Sequence, residues 1–126
     1  MNRKIAFVVV ATVAAITVGA QAPAIKRTVL QKGDISADYE VILARADISP
    51  GGSTGRHTHP GPETGYVLEG TAKLEIDGQP AKIYRAGDTY FIPAGTVHNA
   101  TAMEGNSVVL ATYAVKKGEP LATPAK

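Results

Sequence analysis

Short runs of β-favouring residues, separated by turn signals every 8 to 12 residues or so, constrain this chain more than any other feature. Tyr39-Glu40-Val41-Ile42-Leu43-Ala44-Arg45 is one run, and Tyr66-Val67-Leu68 leads into Gly70. Ala72, Leu74 and Ile76 alternate with Lys73, Glu75 and Asp77, the pattern of a half-exposed strand with one apolar face. Asp77-Gly78 is a hairpin turn signal, and Ala81 to Arg85 returns from it. Ala86-Gly87-Asp88 turns, Thr89 to Ile92 extends, Pro93-Ala94-Gly95 turns again, and Ser107 to Val115 is the last strong run. No stretch carries apolar residues at helical spacing with capping residues. The pattern predicts an all-β sandwich or barrel.

The first residues stand outside this rhythm. Met1-Asn2-Arg3-Lys4 is a basic start, Ile5 to Ala20 is apolar or small without a charge, and small residues with alanines two apart follow up to Ala24. That order is expected of a secretory signal peptide over 1–22, cut after Ala20 or Ala24, which implies a periplasmic or secreted protein. The apolar run falls short of the roughly 20 residues that span a bilayer, so a membrane anchor is the weaker reading. The expected division is then a signal over 1–22, an arm over 23–38, the barrel over 39–115 and a loosely ordered tail over 116–126.

Removal of the first 22 residues also removes Arg3, Lys4 and no acid. The balance of 13 basic and 11 acidic residues becomes 11 against 11. No basic stripe survives, so nothing points to a nucleic-acid partner. The chain has no cysteine, so burial of apolar surface must hold the domain without disulfides. There is no serine or cysteine nucleophile pattern and no phosphate loop.

Between 50 and 65, eight of sixteen residues are Gly or Pro, and two of the chain's three histidines lie there. His57 and His59 share one face of an extended segment, about 6.7 Å apart at Cα, so both imidazoles can lean onto one ion. Glu63 follows across Pro60-Gly61-Pro62, which can bend its carboxylate back to the same point. His98 follows Pro93-Ala94-Gly95 and would come from a neighbouring strand. Taken singly, an H-x-H pair, a loop histidine and a lone glutamate are each more often surface or hydrogen-bonded residues than ligands.

Set in their longer patterns, these residues resemble the cupin superfamily. Gly51, His57-Thr58-His59, Glu63 and Gly70 match its first motif at every spacing, and Gly87, Pro93-Ala94-Gly95 and His98 match its second. The second motif ends on an asparagine at a position held here by Ala102, with Asn99 instead beside His98. The resemblance implies a single-domain jelly-roll β-barrel with a metal in one open end, held by His57, His59, Glu63 and His98. It also implies pairing of small cupins into homodimers. Three imidazoles and a carboxylate suit one divalent transition metal (Fe, Mn, Ni, Cu, Co or Zn) rather than Ca or Mg.

Two functions remain open at this level. One is a metalloenzyme of dioxygenase-like, oxidoreductase type acting on a small molecule, with Glu63 able to leave the ion and act as a catalytic base. The other is a non-catalytic periplasmic protein capturing a metal or a small ligand such as a sugar. Around the site, Arg56 reads as a solvated charge and Asp88 as a turn residue. Tyr66 should face away from the pocket and pack on the other layer, and either Tyr90 or Phe91 lines the cavity.

Overall fold

The computed structural model describes residues 24–126, so the expected signal over 1–22 lies outside the described residues. The strands are β1 (Ile25–Asp34), β2 (Tyr39–Ile48), β3 (His57–Thr58), β4 (Glu63–Glu69) and β5 (Thr71–Ile76). They continue as β6 (Lys82–Arg85), β7 (Thr89–Ile92), β8 (His98–Ala102), β9 (Ser107–Lys116) and β10 (Thr123–Pro124). They form two antiparallel five-stranded sheets, one in the order β1-β2-β9-β4-β7 and the other β10-β3-β8-β5-β6. No helix forms among the described residues. The strand and turn pattern predicts a sandwich or barrel and the family resemblance a jelly roll, and this is that jelly roll.

Two-residue periodicity decides which side chains fill the space between the sheets. On β2, Ile42, Ala44, Ala46 and Ile48 point inward and alternate with exposed or half-buried residues. On β9, Ala111, Tyr113 and Val115 do the same and cluster with Ile42 and Ala44. From the opposite sheet, Leu74 and Ile76 of β5 meet Ile92 of β7. Burying a residue of this kind stabilises the fold by roughly 1.5–3 kcal/mol. The inner ends of β2 and β9 therefore fix the floor beneath the histidines.

The two ends of the chain differ from their expected roles. The 23–38 arm carries a ten-residue strand, β1, which pairs along β2 from Ile25↔Ile48 to Asp34↔Glu40. The segment after Lys116, expected to be loose, folds back: Thr123 pairs with Thr58, Pro124 with His57, and the Ala125 amide donates to the Arg56 carbonyl. Its charged and proline-rich composition hides this. The segment is held by backbone hydrogen bonds, to which side-chain periodicity is blind.

Candidate metal centre

Each ligand candidate is placed by a different local device. β3 brings His57 directly opposite His98 of β8 in one sheet, so β8 is the neighbouring strand expected to carry His98. His59 lies just past the end of β3. Pro60-Gly61-Pro62 then carries the chain across to the other sheet, where Glu63 begins β4. Gly61 is required at this crossing, because a Cβ there would lie 1.6 Å from the Ala114 carbonyl oxygen of β9. The odd-numbered register of His57, His59 and Glu63 therefore survives a change of sheet, and all three are buried together with His98.

The four side chains meet. His57 Nε2 is 3.2 Å from His59 Nε2. Glu63 Oε2 is 3.0 Å from His59 Nε2 and 3.3 Å from His98 Nε2. The three imidazoles offer nitrogens within 4.8 Å of one another, a group able to hold a metal ion. What each ring does on its other side is equally informative. His57 Nδ1 is 2.8 Å from the Gly55 carbonyl oxygen, His59 Nδ1 is 2.6 Å from that of Leu121, and His98 Nδ1 is 2.9 Å from that of Thr96. A carbonyl only accepts, so each Nδ1 carries the hydrogen and each Nε2 of a neutral ring turns a lone pair inward.

The centre is thus a convergence of acceptors. Glu63 Oε2 is buried without a hydrogen bond. Its other oxygen, Oε1, accepts the hydroxyl of Tyr90 at 2.8 Å. Buried acceptors that face one another without a donor are stabilised by a cation placed between them. Burial alone would raise the Glu63 carboxyl, but the His59 and His98 rings, which as imidazolium cations would turn an N–H toward it, and the Tyr90 phenol outweigh it and hold it down at about 2. Burial pushes the His57 imidazole down to about 4, against the pull of the Gly55 carbonyl, and the neighbouring rings add to the depression. Burial raises the Tyr90 and Tyr113 phenols, and the Glu63 carboxylate raises them further, so both stay protonated donors. The donor set fits a divalent transition metal: neutral nitrogen bases and one carboxylate oxygen, with the outer nitrogens anchored.

Other residues divide between wall and frame. Tyr90 is the aromatic residue that turns inward, and Phe91 is exposed. Tyr66 faces away from the site as expected, but it stands 45% exposed on the outer surface rather than packing on another layer. Asp88 accepts the Arg85 amide at 2.8 Å and closes its turn. Arg56 is bound in a fork by Asp77, at 3.1 and 3.0 Å, a surface charge already neutralised. Asn99 accepts the Ser53 hydroxyl at 2.6 Å and donates to Glu75 at 3.2 Å, bracing the loop that leads into β3. Arg27 of β1 and Tyr113 of β9 also wall the site, and neither was singled out by sequence. Tyr113 packs its ring edge-on to His59, with centroids 4.7 Å apart.

Comparison with known proteins agrees with this architecture. A cupin-domain family model matches residues 44–115, more than half of the chain. Dimethylsulfoniopropionate lyase DddW of Ruegeria pomeroyi is 36% identical over 73 residues, covering 58% of this chain and 47% of the lyase. Oxalate oxidase 2 of Hordeum vulgare is 34% identical over 80 residues, covering 55% of this chain and 36% of the oxidase. The match thus spans less than half the length of either relative. Among solved structures, KdgF from Halomonas sp. shares the fold at a TM-score of 0.61 and 24% identity, over 76% of this chain and 84% of KdgF. Motifs, jelly roll and family match coincide on the same residues, and the chain belongs to the cupin-domain family.

Proposed function

We propose that this chain is an exported metalloprotein that holds one divalent transition metal on His57, His59, Glu63 and His98 and uses it on a small molecule, in oxidoreductase-type chemistry. The observation that carries the reading is the set of three imidazoles, each with its Nδ1 hydrogen bonded to a backbone carbonyl, facing a buried carboxylate oxygen that has no donor. Bound there, the ion would act as a Lewis acid or, if redox-active, as an electron-transfer partner for a chelated substrate. The chain's own groups do the rest. The backbone carbonyls fix the ligand tautomers, Tyr90 anchors Glu63, and Arg27, Tyr90 and Tyr113 place three polar groups in a largely apolar cavity wall. Polar groups beside a metal centre favour catalysis over simple capture. Two relatives bear the names of enzymes acting on small molecules, an oxalate oxidase and a dimethylsulfoniopropionate lyase, which supports the same direction.

A non-catalytic capture role is the second reading. The observation in its favour is size, because the interior cavity measures about 30 Å³, room for about two waters. Elemental analysis of protein purified from its native compartment tests the main reading. One transition metal per chain is expected, lost in His98→Ala. A protein that takes up no transition metal would sink it.

A further inference from the structure

Among the described residues, Arg27 has no partner of opposite charge. None of the ion pairs among the described residues includes it, and its Nε is buried without a hydrogen-bond partner. Its contact is a polar one, with the neutral phenol of Tyr113. Arg27 walls both the small interior cavity beside His57, Glu63 and His98 and an open cleft of about 240 Å³ outside it, bounded also by Ile25, Thr54, His57, Pro124 and the Asp77-paired Arg56. A guanidinium half-buried between a solvent cleft and a cluster of imidazoles is costly unless something completes it. Among the described residues Lys32, Arg45, Arg56, Lys73 and Lys117 pair with acids, and the other cations that pair with none, Lys26, Lys82, Arg85, Lys116 and Lys126, are all exposed.

The charges of the cavity point the same way. A divalent ion on three imidazoles and a single carboxylate would leave positive charge in the site, and the Arg27 guanidinium walling the same cavity adds to it, a combination that draws anions. The planar fork of arginine matches a carboxylate in two parallel hydrogen bonds. The interior admits only a few atoms, so the bulk of a ligand must sit in the cleft.

We infer that Arg27 is the specificity-determining residue of this site and selects a short carboxylate anion, whose carboxylate it grips at the cleft while a second oxygen reaches toward the imidazoles. The inference rests on the metal-centre reading and adds the ligand class to it. The experiment titrates glycolate and its uncharged amide, glycolamide, into the Co(II)-loaded protein, read by calorimetry and by the visible absorption of cobalt. Glycolate is expected to perturb the spectrum and bind at least about 10-fold more tightly than glycolamide. Arg27→Met should lose roughly 10- to 100-fold in glycolate affinity with unchanged cobalt content, and Arg27→Lys should recover only part of it. Glycolamide binding as well as glycolate, or Arg27→Met binding glycolate like the wild type, overturns the assignment and leaves the metal centre standing. A wild-type protein that retains no cobalt overturns the metal centre, and this inference with it.

Discussion

Gly65 sets how deep a phenol can reach, and adding one methyl there tests the whole side wall of the site. Gly65 of β4 pairs with Tyr90 of β7, and the tyrosine ring lies across the glycine. A Cβ at 65 would fall 2.1 Å from Tyr90 Cζ, 2.3 Å from Cε1 and 2.4 Å from the hydroxyl oxygen. The ring cannot move aside freely, since its hydroxyl donates to Glu63 and its edge meets Tyr84 at a centroid distance of 5.8 Å. Gly65→Ala therefore carries an overpacking cost of about 1–3 kcal/mol. It also strains or breaks a hydrogen bond to a charged group, worth about 1.5–3 kcal/mol. We expect a loss of about 2.5–6 kcal/mol in urea unfolding of the metal-free protein. A double-mutant cycle separates the two parts. In a Tyr90→Phe background, only the steric part of about 1–3 kcal/mol should remain. In a Tyr90→Ala background, the same alanine should cost under about 1 kcal/mol, because the ring it strikes is gone. An equal penalty in all three backgrounds, or none in the wild type, would refute the argument that this glycine exists to admit Tyr90.

Two further outcomes follow from the same geometry. The folded-state values of His57 (about 4) and Glu63 (about 2) both lie below their ordinary values of 6.5 and 4.5, so in each case the unfolded chain holds the proton more tightly. The metal-free protein should therefore lose stability as pH falls from about 6.5 toward 4 through His57, and from about 4.5 toward 2 through Glu63, with no further pH dependence from either above pH 7. A urea midpoint unchanged between pH 7 and 4 contradicts this. Deleting residues 120–126 removes the Leu121 carbonyl that holds His59 and should weaken metal binding by roughly 10- to 100-fold, measured by competition with a chromophoric chelator. Leu121→Ala keeps the carbonyl and should leave metal affinity within about threefold; wild-type affinity in the deletion would exclude the bracing role.

The barrel and the ligand cluster were legible because both are written in side chains. Alternation along Ala72–Ile76 and the spacing of His57, His59, Glu63 and His98 report directions that a pleated strand fixes. The sequence could not choose between Tyr90 and Phe91, since parity alone says only that neighbours face opposite ways, and Gly65, the residue that makes room for one of them, carries no side chain to read. Arg27 was missed because a single arginine among Lys26 and Thr28 has no motif and its strand lacks an apolar face. The Leu121 carbonyl was missed because backbone groups are the same at every position. Asn99 braces the loop from one position after His98, whereas the motif places its asparagine four positions after, where Ala102 stands.

The use of main-chain carbonyls from residues 55, 96 and 121 to hold the three imidazoles has an evolutionary consequence. An outer shell made of aspartates or asparagines would leave a recognisable signature and would fail with a single codon change. Here the orienting atoms belong to the peptide bond, so the carbonyls of residues 96 and 121 impose their tautomers whatever side chain stands there, while position 55 is held to glycine by its positive φ of 73°. Relatives could then differ widely at positions 96 and 121 and still present the same three lone pairs, and only a change in backbone path, such as an insertion or deletion, would retune them.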